Sequence, residues 1–414
     1  MSRIQELIKE KCPNGVEYRK IDDCCFFQNG YAFKSNLFKS MGDILLRITN
    51  INGKTIDLDD VKYIDVNDYN TNLEPFKVNY EDIVIAMSGA TTGKVGINKT
   101  NHILYLNQRI GKITPKNTKI LNNHFLYHIL LTKVNYFYNL AGGGAQPNLS
   151  SEAIKNTIIP VPPLEVQEEI VRILDKFGEL EAKLEAELDA RQSQYKFWSG
   201  KIFESHMNGK IKHITDIAMI KARVGWQRLT TAEYLSAGDY YLITGTDFKN
   251  DGKIDFNKCV FVTKERYEMD ENIQVHKNDI LITKDGTLGK VAYLNDEPDK
   301  LTTLNSGVFR IKVTDKNVLP RYIYHYFNSK AFRDFVESVK TGSTIPHLTQ
   351  EKLVSLNIPI PNIKEQEKII NILDKFEDLT RSLSVGLPAE IELRRKQYEY
   401  YRNQLLSFKE LNNG

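Results

Sequence analysis

Cysteine is scarce in this chain of 414 residues. Cys12, Cys24, Cys25 and Cys259 form no CxxC pair and no zinc-finger spacing. That excludes a disulfide scaffold and leads one to expect a reducing compartment. Long apolar runs are missing too. No stretch approaches the roughly eighteen apolar residues of a transmembrane span. Ile4, Leu7 and Ile8 have short-helix spacing, without the apolar run of a signal peptide, so a cytoplasmic protein is expected. With 24 glycines and 13 prolines, the chain is neither collagen-like nor a low-complexity linker.

Charge of one sign is also lacking. There are 56 basic and 53 acidic residues, a net charge of +3. The distribution is more telling. Residues 1–160 carry 19 Lys/Arg against 15 Asp/Glu, and residues 209–358 carry 22 against 19. Residues 161–208 carry 6 against 10, and residues 359–414 carry 9 against 9. A polyanionic partner would therefore prefer the two large blocks.

Catalytic motifs are absent in their turn. The two Gly-Lys-Val turns fail as phosphate loops, because Ser88 and Lys284 stand where the first glycine belongs. Val95 and Val291 likewise replace the magnesium-binding hydroxyl. His124 and His128 share a helix face without the Glu of a zinc protease motif. They read as packing residues. No G-x-S-x-G elbow occurs, and the only Pro-Pro pair, Pro162-Pro163, lacks the Asn/Asp and aromatic flanks of a base-modifying loop. The expectation is a chain with no catalytic, cofactor-binding or metal-binding residues of its own.

What the chain has is a duplication with a period near 199 residues. VPPLEVQEEIVRILDKFGEL at 161–180 answers IPNIKEQEKIINILDKFEDL at 360–379. Ile170, Ile173, Phe177, Leu180 and Leu184 step by 3 and 4, and Ile369, Ile372, Phe376, Leu379 and Leu383 step identically. One apolar stripe on each of two long helices follows, with the other helix as the natural partner. Gln194-Tyr195 answers Gln397-Tyr398 at a larger offset, so the second copy has an insertion. Gly386 and Pro388 should interrupt it there.

The large blocks repeat more weakly but in order. Residues 81–85 answer 278–282, Gly93-Lys94-Val95 answers Gly289-Lys290-Val291, and Leu106-Asn107 answers Leu304-Asn305. Val78–Met87, Val275–Thr283, Asn107–Thr114 and Gly307–Val313 look like strands. Residues 121–139 and 319–339 look helical. The reading is an α/β chain of two mixed blocks, each followed by a long helix. The two helices form an antiparallel coiled coil with a pseudo-two-fold internal repeat. Domain boundaries fall at 1–160, 161–208, 209–358 and 359–414.

If the blocks meet DNA, Lys94 and Lys290 could present an ammonium group to phosphates. Arg47, Asn50, Asn52, Arg223, Trp226, Gln227 and Arg228 are polar or aromatic loop residues, and Arg, Asn and Gln can bond bidentately to base edges.

With these residues in view, the chain resembles the specificity subunit of a Type I restriction-modification system. The carriers are PPLEVQEEIVRILDKF and PNIKEQEKIINILDKF, the YKFWSGKIF and YEYYRNQLLSF helix ends, the GKV turns, and the Pro-x-Leu-Ser/Thr lead-ins at Pro147 and Pro346. The resemblance implies two target recognition domains (1–160 and 209–358), each reading half of a split, asymmetric DNA site. It implies a coiled-coil ruler between them and no catalysis by this chain. Two modification subunits would bring S-adenosylmethionine and adenine-N6 methylation, and two restriction subunits would bring ATP and magnesium. A single Ala186-Glu187-Leu188 argues against an extended spacer.

Overall fold

The computed structural model describes residues 3–142, 147–206, 210–225, 229–285, 288–339, 347–382 and 385–411. The chain separates into two compact units, Met1–Glu181 with Arg394–Gly414, and Ala182–Leu393.

The first unit contains α1 (Arg3–Lys11), β1 (Tyr18–Lys20), α2 (Ile21–Cys24), β2 (Cys25–Asn29), β3 (Asp43–Leu46), β4 (Lys62–Ile64), β5 (Lys77–Val78), β6 (Ile83–Ala86), β7 (Val95–Ile97), β8 (Leu104–Leu106), β9 (Ile110–Pro115), α3 (Asn123–Thr132), α4 (Val134–Leu140), α5 (Ser151–Lys155) and β10 (Ile158–Pro160). The long helix α6 (Leu164–His206) follows and divides between the units. An antiparallel sheet runs β2-β9-β6-β7, and a second runs β4-β3-β8-β5 with β3 parallel to β8. The apolar run Ile83-Val84-Ile85-Ala86 is buried on both faces, as a central strand between two layers must be. Ile83 and Ile85 pack with Phe125 and Leu126 of α3 and with Ile170 and Leu174 of α6. Val84 and Ala86 pack against Leu46, Leu104 and Leu106 of the second sheet.

The second unit repeats this plan. It contains β11 (Ile211–His213), α7 (Ile214–Ile217), β12 (Ala218–Ala222), β13 (Tyr240–Ile243), β14 (Val260–Phe261), α8 (Lys264–Glu268), β15 (Ile280–Thr283), β16 (Val291–Tyr293), β17 (Leu301–Leu304), β18 (Val308–Val313), α9 (Pro320–Phe327), α10 (Lys330–Val339), α11 (Gln350–Val354), β19 (Asn357–Pro359), α12 (Ile363–Arg381) and the start of α13 (Leu387–Leu405). Its sheets run β12-β18-β15-β16 and β14-β13-β17, again with one parallel pair, β13 with β17. Ile280 and Ile282 face Tyr322 and Leu373, while Leu281 joins Tyr241 and Leu304 on the other side.

Strand limits are shorter than the apolar runs predict. Glu81 and Asn278, at matched positions, adopt φ of 65° and 67° and break each run just before β6 and β15. Residues 107–109 form a turn ahead of β9, so the strand starts at Ile110. The predicted interruption of the second long helix is present. Gly386 stands between α12 and α13 at φ +142°, where a Cβ would lie 2.3 Å from the Asp378 carbonyl oxygen. Pro388 falls in the first turn of α13, where its missing N–H removes no helical bond.

Each long helix is fixed at its start by a fully buried glutamine. Gln167 Oε1 accepts from the Asn122 N–H at 2.8 Å, and its Nε2 donates to the carbonyls of Ile120 and Pro162. Gln366 makes the same three bonds, with Leu319 N–H, Asn317 and Pro361.

The striped residues fall on three faces. Ile170 and Ile369 enter the cores of their units, together with Leu174 and Leu373, which the stripe omitted. Phe177 packs against Tyr398 and Tyr401 of α13, and Phe376 against Tyr195 of α6. Ile173 and Leu184 are half-buried, whereas Leu180, Ile372 and Leu379 are exposed. Leu383 lies outside the described residues. The physical reason is period: a straight helix turns every 3.6 residues, so a 3.5-residue stripe drifts off a seam shared with a domain core.

Candidate nucleic-acid interface

In the first unit, one edge collects the ends of four strands. Gly30, after β2, donates to the Ile110 carbonyl at 2.9 Å, and Tyr31 donates to Leu106 at 2.9 Å. Asn107, after β8, donates to Leu46 at the end of β3. Met87, after β6, donates to Arg109 at 2.8 Å, and Leu149 donates to Met87 at 2.7 Å. The loops that follow these strands therefore share one surface, the usual place for recognition residues on a rigid scaffold.

Lys94 lies at this edge, half-buried, in the turn joining β6 to β7. Its ammonium has no hydrogen-bond or carboxylate partner among the described residues. Gly93 beside it has φ +81°, and a Cβ there would sit 2.8 Å from the Val134 carbonyl oxygen, so only glycine lets the turn approach α4. Lys290, the counterpart in the second unit, is exposed, and its N–H donates to Thr283 Oγ1.

Arg47 is partly exposed and holds both the carbonyl and a carboxylate oxygen of Asp60 at 3.2 Å. Asn50 is buried. Its Oδ1 accepts from the Arg47 N–H, and its Nδ2 donates to the Asp60 carbonyl. Asn52 is engaged in its own turn with Lys54 and Thr55. Arg223 is 2% exposed and donates to the Leu304 carbonyl at 2.8 Å and to Thr303 Oγ1. Asn50 and Arg223 thus build the loops and do not present base-reading edges. Burial with internal partners overrides the propensity of their side chains for nucleic acid. Trp226, Gln227 and Arg228 lie outside the described residues.

The mixed α/β blocks are locked to the long helices by ionic clusters that the sequence alone did not reveal. In the first unit His128 Nε2 donates to Asp175 Oδ1 at 2.8 Å, and His124 Nδ1 bonds Asp175 Oδ2 at 3.1 Å. Burial pushes the Asp175 carboxyl up, but the two histidine bonds outweigh it and hold it well below the usual carboxylate range. The bond to Asp175 raises His124 against opposing burial, and Glu81 adds to the rise. Burial lowers His128, which is thus neutral and accepts the Tyr398 O–H at Nδ1, 3.1 Å away. In the second unit His325 Nε2 donates to Asp374 at 2.7 Å, and Arg321 takes the place of His124. Glu377 receives Arg321, Arg381 and the Tyr324 hydroxyl. His325, Asp374 and Glu377 bring their ligand atoms within 4.8 Å of one another, but the two guanidinium groups already neutralise both carboxylates. The readable signal was the Asp of each ILDKF run, Asp175 and Asp374, repeated with His128 and His325.

A family model for the Type I restriction modification DNA specificity domain matches residues 13–190 and again 208–393, once for each internal copy. The chain belongs to that family. It is a DNA-sequence-recognition subunit that scaffolds a Type I restriction-modification complex and has no catalytic role of its own. It is 31% identical over 359 residues to a type I restriction enzyme specificity subunit of Haemophilus influenzae, covering 84% of this chain and 88% of that one. Identity to the EcoR124I/EcoR124II specificity subunit of Escherichia coli is 33% over 282 residues, 63% of this chain and 65% of the other. The fold of this specificity subunit is similar to the crystal structure of a Type I restriction-modification S subunit from M. genitalium. The TM-score is 0.53 and the identity 17%, with 96% and 98% of the two chains covered. Among the described residues, no helix of the specificity subunit is long and apolar enough to cross a membrane.

Proposed function

We propose that residues 1–160 and 209–358 are two target recognition domains that read unlike halves of a split DNA site. Residues 161–208 and 359–414 would be the helical regions that carry two modification subunits and, in the full complex, two restriction subunits. S-adenosylmethionine would be held by the modification subunits, and ATP with magnesium by the restriction subunits, in the cytoplasm. The observation that carries this reading is a repeated fold with unrepeated chemistry at the loop edge. Ser88 pairs with Asn148 in the first unit where Asp285 pairs with His347 in the second. One backbone plan with different side chains suits two half-sites of different sequence.

The helical regions support partner docking by matched exposed aromatics. Phe197 and Trp198 are exposed on α6, and Tyr400 and Tyr401 occupy the repeated positions on α13. Two similar apolar patches suit two copies of one partner.

The test exchanges residues 209–358 for the corresponding block of a relative and reads the methylated motif by long-read sequencing of host DNA. One half of the motif should change and the other stay fixed. A motif changed in both halves, or in neither, would sink the bipartite reading.

A further inference from the structure

Arg109 stands on the turn between β8 and β9, in the middle of the loop edge of the first unit. It is exposed, and among the described residues its guanidinium has no hydrogen-bond or ion-pair partner. Its backbone is left-handed, with φ 74°, a conformation costly for any L-residue with a side chain. The turn is not loose. Met87 donates to the Arg109 carbonyl at 2.8 Å, Ile110 donates to Asn107 at 3.2 Å, and Gln108 donates to Tyr31 at 2.7 Å. Gly30 lies so close that a Cβ there would meet the Asn107 carbonyl oxygen at 1.9 Å.

The second unit keeps two of these backbone bonds around Gly307, the counterpart of Arg109, which has no side chain and no left-handed backbone. Lys284 donates to the Gly307 carbonyl at 2.9 Å, and Val308 donates to Asn305 at 3.2 Å, the counterparts of the Met87 and Ile110 bonds. Glycine would satisfy the left-handed position without strain, yet the first unit puts an arginine there. Among the described residues its charge has no ion pair to stabilise.

We infer that Arg109 is a base-reading residue of the first recognition domain, its guanidinium bonding bidentately to O6 and N7 of a guanine in the major groove. The inference rests on the DNA-reading function proposed above. An arginine fork fits those two acceptors better than any other side chain does. A rigid turn fixes where the side chain leaves the backbone, so binding has to order the side chain but not the loop.

The test compares Arg109→Gly and Arg109→Lys with the unaltered chain, each assembled with its modification subunits. Motifs are read by long-read methylation sequencing of host DNA. Binding is then measured on a duplex carrying the unaltered motif and on one lacking it. Arg109→Gly relieves the backbone, so its unfolding midpoint should match or exceed that of the unaltered chain. It should relax one guanine in one half-site to any base. Affinity for the motif duplex should fall roughly 10- to 100-fold, with little change on the other duplex. Arg109→Lys should keep the salt dependence of binding and still lose the guanine preference. An unchanged motif overturns the inference, as does an equal loss of affinity on both duplexes, which would mark a phosphate contact. If the unaltered complex itself shows no motif, the DNA-reading proposal fails, and this inference with it.

Discussion

Phe177 meets Tyr398 at a ring-centroid separation of 6.5 Å, and in the other unit their repeat counterparts, Phe376 and Tyr195, meet at 6.3 Å. The roles exchange: α6 gives the phenylalanine in the first unit and the tyrosine in the second. One turn beyond Phe177, Glu181 binds Arg395 at 2.6 Å, one turn before Tyr398, so the two helical segments run antiparallel. Lys54 of the first α/β block holds the same carboxylate at 2.9 Å. The two seams are not equal. His128 accepts the Tyr398 hydroxyl, whereas His325 Nδ1 and the Tyr195 hydroxyl are buried without partners among the described residues.

The seam should be sensitive where the rings meet and tolerant where the stripe is exposed. Phe177→Ala should cost about 2 kcal/mol in urea unfolding, less than a fully buried ring because this one is half-buried. Phe177→Asp and Phe376→Asp should cost more, since a carboxylate would enter an apolar contact. Leu180→Asp and Leu379→Asp should stay within about 0.5 kcal/mol of the unaltered chain. Co-purification with the modification subunits then reports whether the exposed face docks them.

The glutamine clamps should outrank every exposed polar residue on the helices. Gln167→Leu or Gln366→Leu strands one N–H and two carbonyls, at about 1 kcal/mol or more for each buried group. A loss of at least about 3 kcal/mol is expected by chemical denaturation. Gln194→Ala, on the exposed face, should be nearly neutral.

Two repeat-related ion pairs should differ in weight. Arg310 and Asp279 are almost fully buried, with 2.7 Å between Nε and Oδ2. Lys112 and Asp82 are only partly shielded and lie 3.4 Å apart. Asp279→Ala leaves a buried guanidinium uncompensated and should cost about 3–5 kcal/mol. Asp82→Ala should cost about 1–2 kcal/mol, because Lys112 keeps its bond to the Lys77 carbonyl and has some access to water. Equal losses by denaturant titration would contradict this ranking.

Stability should depend on pH through His124. Its folded pKa is raised above the ordinary 6.5 by Asp175, against burial, and then by Glu81. Its contribution is therefore fully present below about pH 6.5 and is lost as pH rises through the higher folded value. His128 acts the other way, since burial keeps it neutral and acid would force it to charge. The difference between the unaltered chain and His124→Gln isolates the first effect. That difference should be largest near pH 5.5 and shrink toward pH 8.5 in urea titrations. A gap that widens with pH would refute the assignment. At lower pH, protonation of Asp175, whose folded carboxyl is held down by both histidines, should weaken the whole cluster.

The duplication, the two long helices and the break at Gly386 were legible in the sequence, because each is a local signal. Repeated identity needs no coordinates, helical spacing is set by 3.6 residues per turn, and glycine with proline marks a stop. The four-residue core run at Ile83 was legible for the same reason. The partners of buried polar groups were not. Asp175 lies 47 residues from His128, and Arg223 lies 80 residues from Thr303, and nothing local joins them. Arg223 and Asn50 read as recognition residues in the sequence because composition cannot distinguish a buried arginine or asparagine with backbone partners from an exposed one. Arg109 sits inside an apparent strand in the sequence, and only the fold shows its left-handed φ and, among the described residues, a guanidinium without a partner. The sequence determined which segments repeat and which become helices. Tertiary packing alone decided which side chains face water, because burial and long-range hydrogen bonding arise only when distant segments meet.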